Sequence, residues 1–283
     1  MKSRLRERAG SPSTDGQTPA EKREGDRRSA PSGKVVYAAI IREAEEELGR
    51  PSSPLFFSGL AAGLSMGFSL IAEALLASRL PDAPWRPLVA KLGYPLGFLI
   101  VILGRQQLFT ENTLTPMLPL LRDRKASTAR NVARLWGLVL SANIVGCVAI
   151  AAVVVLTRLL PSEALQEVRA LGTAALAEGF GLVLLRAIFA GWLIALIVWL
   201  LPFAESGRFW VILLVTYFIG LGRFSHVVAG SVQAFAMVFT GDASLGRAIG
   251  GFIVPALLGN ILGGFFLVAA LSHVQVNPEA RTT

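Results

Sequence analysis

Four stretches of this chain are apolar for about 20 residues or more without interruption, the length a helix needs to cross the hydrocarbon of a bilayer. They are Phe56 to Leu80, Val132 to Thr157, Leu176 to Leu201 and Ala248 to Leu271. Two more are apolar but broken near the middle by polar and glycine-rich residues. Leu88 to Leu121 is broken by GRQQLFTENT, from Gly104 to Thr113, and Phe209 to Thr240 by GLGRFSHVVAGS, from Gly220 to Ser231. In hydrocarbon the chain must satisfy every backbone polar group itself, and segments this long and continuous do so as helices. The predicted fold class is therefore all-α integral membrane, with six transmembrane helices of which the second and fifth are broken.

Composition supports this reading. The 283 residues are 53% hydrophobic and 16% charged, with a mean hydropathy of +0.57, a balance that a water-soluble domain would struggle to keep in solution. Charge is unevenly placed, because Met1 to Arg50 carries eleven of the 27 Lys and Arg. That arm holds few large apolar residues, so it cannot bury enough surface to offset its ordering entropy and is expected to be disordered. No apolar run follows Lys2, Arg4, Arg6 and Arg8, which argues against a signal peptide. From Val35 to Leu48 apolar positions recur beside Glu43, Glu45, Glu46 and Glu47, as in a short amphipathic helix ahead of the first span. The expected organisation is a basic cytoplasmic arm with that helix over 1–54, a six-span domain over 55–272 and a short cytoplasmic tail over 273–283.

The single cysteine, Cys147, sits inside an apolar run and reads as a packing residue; it allows neither an intrachain disulfide nor a cysteine-based metal site. No metal and no cofactor is expected. The pI of about 10.4 would suit nucleic acid, but the basic excess sits mostly in the arm and no basic domain interleaved with aromatics accompanies it. Membrane lipids with anionic headgroups, and not nucleic acid, are the expected partners.

Six crossings place both termini on one side of the membrane. With the N-terminus cytoplasmic, the inner segments hold 18 basic residues and the outer loops 6, and the inner loop after Arg122 is dense in basic residues even without the arm. The positive-inside rule then puts both termini in the cytoplasm. The halves of the chain also repeat. Gly104-Arg105 is followed 39 residues after its glycine by Asn143-Ile144-Val145-Gly146, and Gly222-Arg223 is followed 38 residues after its glycine by Asn260-Ile261-Leu262-Gly263. Each half reads span, broken span, span, and three crossings per half make the two copies inverted.

A broken helix at membrane depth must line water or be wrapped in protein, and its free N–H groups favour anions near the midplane. Leu108 and Phe109 beside the first break suit a hydrophobic constriction, or ordinary packing. Thr110 can donate to a passing anion, cap the half-helix that follows, or do both. His226 is the one histidine within a span. A proton on it would convert a weak-acid anion into its neutral acid, which crosses a dry constriction far more readily. Arg105 and Arg223, equivalent in the two repeats, either supply positive potential at the two vestibules or pair with Glu111 or other acids. Glu73, Glu178 and Arg186 read as structural partners for one another or for loop backbone. Glycines at spacings of four, such as Gly59, Gly63 and Gly67, allow close helix crossings.

Together these residues resemble the formate/nitrite transporter family over about Phe56 to Leu271. Leu108-Phe109-Thr110 with Asn112-Thr113 is similar to the family's Leu-Phe-Thr loop, whose residues form a constriction and a polar contact to substrate. Phe224 and His226 resemble the fifth-helix glycine-Phe-x-His stretch, with its central protonatable histidine. Gly191-Trp192-Leu193 with Val198-Trp199 is similar to the fourth-helix pattern, and Gly259-Asn260-Ile261-Leu262-Gly263-Gly264 to the sixth-helix motif. The resemblance implies an aquaporin-like protomer, a homopentamer with one pore per subunit, and passage of formate, nitrite or hydrosulfide in a bacterial inner membrane. It implies pore or substrate contacts at Leu108, Phe109, Thr110, Phe224, His226 and Asn260. The chain departs from the pattern at Gly191, where the family has asparagine, and at Ser225, where an acidic residue often precedes the histidine; Glu111 and Arg223 add charges near the breaks. The expected function is a channel or transporter for small monovalent anions of weak acids, not an enzyme.

Two other readings compete. An aquaporin-like channel for water or small neutral solutes also uses inverted repeats, but its two Asn-Pro-Ala motifs are absent. An intramembrane serine protease would need Ser231 and His226, which lie five residues apart in one broken span, with no Gly-x-Ser-Gly element opening a separate helix.

Overall fold

In a computed structural model, the structure describes Thr18 and residues 32–270. The expected disorder of the arm before Ser32 (Thr18 aside) and the tail 273–283 lie outside the described residues. Among the described residues there are helices and no strands.

Each half of the molecule contains an amphipathic helix, a span, a broken span and a span. In the first half these are α1 (Gly33–Gly49), α2 (Ser52–Arg79), the halves α3 (Arg86–Leu103) and α4 (Met117–Asp123), and α5 (Ala126–Leu156). In the second they are α6 (Ser162–Leu176), α7 (Phe180–Phe203), the halves α8 (Arg208–Leu221) and α9 (Val227–Phe239), and α10 (Arg247–Phe265). Five of the helices are long and apolar enough to cross a membrane, and α8 and α9 are too short to do so alone. End to end they supply the sixth crossing. Helix α10 is π-helical over Arg247–Ile253 and again from Leu262, flanking an α-helical centre that begins at Val254-Pro255, and the second π-helical stretch runs on past the end of α10 to Ala270.

Two details depart from the sequence reading. Residues 162–176, read as part of an outer loop, form α6, which buries Ala164, Val168, Gly172 and Leu176 at helical spacing. It is the second half's counterpart of α1. The second break is also shorter than GLGRFSHVVAGS, because Val227 to Ser231 already turn within α9.

The crossing of α2 with α5 and that of α7 with α10 are built alike. A Cβ on Gly63 would strike the backbone carbonyl of Asn143, and a Cβ on Gly191 would strike that of Asn260. Backbones this close need glycine. Gly191, a departure from the family pattern, is thus the mirror of Gly63, and an asparagine there would push α7 off α10. Helix α1 is tied to the bundle by Arg134, whose Nη2 donates to the carbonyls of Leu48 (2.8 Å) and Arg50 (3.0 Å), groups left open at the C-terminal end of that helix.

Candidate functional site

The two breaks share one backbone design. At the end of α3 the N–H of Arg105 donates to Ile102 O (3.2 Å) and that of Gln106 to Val101 O (2.9 Å). At the end of α8 the N–H of Arg223 donates to Gly220 O (3.2 Å) and that of Phe224 to Ile219 O (3.0 Å). The six-to-one bond is a Schellman stop, which needs a left-handed residue just past the helix end. Arg105 and Arg223 hold that position with φ of 51° and 53°, where glycine would sit without strain. Arg124 adopts the same conformation (φ 51°) at the end of α4, but only Arg105 and Arg223 occupy matched positions of the two repeats.

An asparagine from the next span clamps each break. Asn143 on α5 accepts from the N–H of Phe109 (2.9 Å) and donates to the carbonyls of Gln107 (2.9 Å) and Gly59 (2.7 Å). Asn260 on α10 accepts from the N–H of Val227 (2.8 Å) and donates to the carbonyls of Ser225 (2.9 Å) and Ala187 (2.8 Å). Both are fully buried; each satisfies two backbone groups that the break deprives of helical partners and ties them to a carbonyl of a neighbouring span. The registers match residue for residue, so Gln107 corresponds to Ser225, Leu108 to His226 and Phe109 to Val227. Asn260, expected among the pore contacts, has both amide protons and its oxygen committed to backbone. It positions the break.

The halves differ at Leu108, whose equivalent in the second half is His226. The imidazole is 1% exposed. Its Nδ1 accepts from the N–H of Ala229 (3.2 Å), capping α9, and its Nε2 lies 2.7 Å from Thr110 Oγ1. A ring that accepts at Nδ1 carries its proton on Nε2 in the neutral form, so it donates to the Thr110 hydroxyl. That leaves the hydroxyl's own proton to find another acceptor. Phe98 packs edge-on against the imidazole at 4.9 Å. The loop bearing Thr110 is itself braced: Trp136 Nε1 donates to Asn112 O (2.8 Å), Asn112 Nδ2 donates to Gln107 Oε1 (3.0 Å), and Phe109 packs edge-on against Trp136 at 5.7 Å. Leu108 and Phe109 are both buried.

Two vestibules approach this contact and share no lining residue. One, of about 610 Å³, is lined by His226, Phe224, Arg223, Lys91, Arg186 and Glu178 among others. The second, of about 1110 Å³, is lined by Gln107, Glu111, Arg105, Glu43, Glu47 and Arg208 among others. Thr110, flanked by Gln107 and Glu111 of the second vestibule, reaches His226 of the first, so the hydrogen-bonded pair stands between the two cavities. Phe224 walls the first, stacked on Phe189 (5.6 Å) and edge-on to Phe218 (5.8 Å). Glu178 pairs with Arg186 (3.0 Å), and Glu73 with Lys91 (2.5 Å). In the second vestibule Arg105 pairs with Glu43 of α1 (3.0 Å), not with Glu111. Burial lifts the Glu47 carboxyl above its usual range although Arg50 faces it.

The sequence left Asn143, Trp136, Phe98 and Lys91 out of the expected site. Asn143 was signalled by the repeat itself; the other three carried no local signal. Ser231 donates to Val227 O (2.6 Å) within its own helix turn, while both ring nitrogens of His226 face other partners, so the two do not form a nucleophile and base.

The comparisons with known proteins agree with this architecture. A family model described as formate/nitrite transporter matches residues 34–274. The inner membrane protein YfdC of Escherichia coli (strain K12) is 38% identical over 242 residues, covering 86% of this chain and 78% of that protein. The formate channel BtFdhC of Bacillus thuringiensis is 28% identical over 217 residues, covering 73% and 81%. Among solved structures, an FNT family ion channel superposes with a TM-score of 0.73 at 20% identity, covering 87% of this chain and 98% of that one. A pentameric formate channel with formate bound superposes with 0.67 at 19% identity, covering 78% and 95%.

Proposed function

The chain belongs to the formate/nitrite transporter family, and we propose that it is a membrane channel for small monovalent anions of weak acids, formate or nitrite among them. The observation that carries this reading is the buried Thr110–His226 contact between two vestibules. A bare anion entering a dry, apolar passage loses its hydration at a cost of several kcal/mol, whereas its conjugate acid loses little. An anion in the vestibule of Arg223 and Lys91 is drawn towards the break, where the N-terminal end of α9 also favours negative charge. There the Thr110 hydroxyl, held by the His226 Nε2 proton, donates to a substrate oxygen.

Proton delivery follows the same contact. With a second proton taken up at Nδ1 from the first vestibule, which releases the Ala229 N–H, Nε2 gives its proton to Oγ1 as Oγ1 gives its own to the substrate oxygen; the ring is left neutral with its proton on Nδ1 and must tautomerise to restore the Nδ1 contact. The neutral acid then passes Leu108 and Phe109 and ionises again in the second vestibule. Phe224 walls the approach, and Asn260 and Asn143 keep the two breaks open. Gln107 and Asn112 line the exit.

The protein of this reading is a homopentamer in a bacterial cytoplasmic membrane, with one pore per subunit and both termini in the cytoplasm. Its channel domain spans 55–272, with the arm 1–54 and tail 273–283 inside the cell in contact with lipid headgroups. An inner membrane relative and the distribution of basic residues support this placement. Proteoliposomes loaded with formate, nitrite, hydrosulfide, acetate or chloride, assayed at two pH values, test the function. Flux of the small weak acids above chloride, rising as pH falls, is the expected result; an impermeable vesicle with every anion would sink it.

A further inference from the structure

The two amphipathic helices wall the two vestibules with opposite chemistry. Helix α1 gives its cavity Glu43 and Glu47, and among the described residues no aromatic side chain lines that cavity. Helix α6 gives the His226-side cavity the apolar residues Leu171, Ala174 and Ala175, and Tyr94, Phe224 and Phe252 line it as well. Arg223 and Phe224 are consecutive, so a guanidinium and an aromatic ring stand side by side in this wall. The ring is fixed by its stack on Phe189 and its edge contact with Phe218. It lies against the turn that carries Arg223, since a Cβ on Gly222 would come within 2.9 Å of it. Two of the cations here already have partners, Lys91 in Glu73 and Arg186 in Glu178. Arg223 has no hydrogen bond or ion pair among the described residues, which leaves one positive charge to be met. A single cation beside an apolar, aromatic wall suits a monoanion with an apolar body.

We propose that the His226-side vestibule is a binding site for aryl monoanions, small aromatic carboxylates and sulfonates, which seat the acid group on Arg223 and the ring against Phe224 and the α6 wall. Such a ligand fits a cavity of about 610 Å³ but not the contact beyond it, where Thr110 and His226 are at most 1% exposed. It therefore stays in the vestibule and excludes the transported ion. Its effect on flux rests on the anion-channel reading above; its occupancy of the cavity does not. A guanidinium keeps its charge at any working pH, so the site needs no titrating group of the protein.

The probes are benzenesulfonate and methanesulfonate, which share a permanently ionised head and differ in the ring; neither takes up the proton that passage requires. Occupancy is read by saturation-transfer NMR from the full-length protein in lipid nanodiscs to the ligand protons. Flux is read as uptake of radiolabelled formate by proteoliposomes of uniform protein orientation, with sulfonate at one face only. Benzenesulfonate should bind at least about tenfold tighter than methanesulfonate, the gain expected when about 60 Å² of ring surface leaves water. It should block uptake at least about tenfold more strongly from the His226 side than from the α1 side. Arg223→Gln should weaken both sulfonates at least about fivefold, the loss of one charge-assisted contact. Leu171→Asn, at the half-buried α6 wall, should weaken benzenesulfonate about threefold while leaving methanesulfonate binding and unblocked formate uptake within about twofold. Equal affinity for the two sulfonates, block as strong from the α1 side, or an Arg223→Gln or Leu171→Asn protein that holds benzenesulfonate as well as the wild type would overturn the proposal and leave the channel reading standing. A wild type that takes up neither formate nor nitrite would overturn the channel reading, and the ring-proton signal would still decide the site.

Discussion

Replacing His226 by phenylalanine separates the chemistry of the site from its packing. The ring fills similar space and keeps its face towards Phe98, now 4.9 Å from the imidazole. It removes the Nε2 contact to Thr110 at 2.7 Å and the Nδ1 cap on Ala229 at 3.2 Å. The lost cap costs about 1 kcal/mol, and the buried hydroxyl deprived of its donor about 1 to 3 kcal/mol more. The folded oligomer should survive with a lower melting temperature. Weak-acid flux should fall at least about tenfold, which is about 1.4 kcal/mol of barrier, and its rise with falling pH should flatten. Thr110→Val, which removes the hydroxyl at nearly constant volume, should give a similar loss. Because both changes break one path, the double variant should be no more than about threefold worse than the poorer single variant. Stopped-flow formate uptake into proteoliposomes reads all three proteins. A folded His226→Phe protein with wild-type flux and pH profile, or losses that simply multiply in the double variant, would remove the His226–Thr110 path from the mechanism.

Asn143→Ala and Asn260→Ala each strand two buried backbone groups of a break, so each should destabilise by about 2 kcal/mol or more and by similar amounts, read as matched drops in melting temperature; a benign variant of either would refute the clamp. Arg223→Gly should relieve about 1 kcal/mol of left-handed strain while reducing anion affinity at that mouth, and a melting temperature unchanged or lowered would count against the strain. A reporter fused after Thr283 should be active only in the cytoplasm, as the basic-residue count requires. Native mass spectrometry in mild detergent should give a pentamer, and a uniform monomer would contradict the assembly.

The spans and the repeat were legible because hydrocarbon leaves a helix few alternatives and because Gly-Arg and Asn-x-x-Gly fall at matched distances in the two halves. The break residues Leu108, Phe109, Thr110 and His226 stood out as polar or bulky groups interrupting apolar runs. Which groups meet was not legible. Thr110 and His226 lie 116 positions apart, and only the folding of both breaks against each other's half brings them within 2.7 Å. The pairing of Arg105 was open for the same reason: Glu111 is near in sequence, but α1 delivers Glu43 across the vestibule mouth. Helix α6 escaped notice because its apolar stripe is four small or medium residues, Ala164, Val168, Gly172 and Leu176, too weak a pattern beside neighbouring spans.

The function follows from where the internal symmetry holds and where it fails. It holds in the Schellman stops, the αL arginines, the asparagine clamps and the glycine crossings, all of which keep a helix broken in a bilayer. Those features are costly, since each break surrenders backbone hydrogen bonds that hydrocarbon cannot replace, and they have counterparts in both halves. The symmetry fails at Leu108 against His226, and at Arg105, neutralised by Glu43, against Arg223, whose guanidinium has no ion pair among the described residues. The first difference sets one hydrogen-bonding, proton-carrying group against one apolar group at equivalent positions of the two breaks. Two leucines there would give a dry plug, and two histidines a wet, polar joint that loses the discrimination between acid and anion. On the proposed reading, one of each yields a barrier that an anion crosses by taking up a proton on the histidine side. The second difference orders the approach, so that the mouth with the free arginine is also the mouth into which His226 opens.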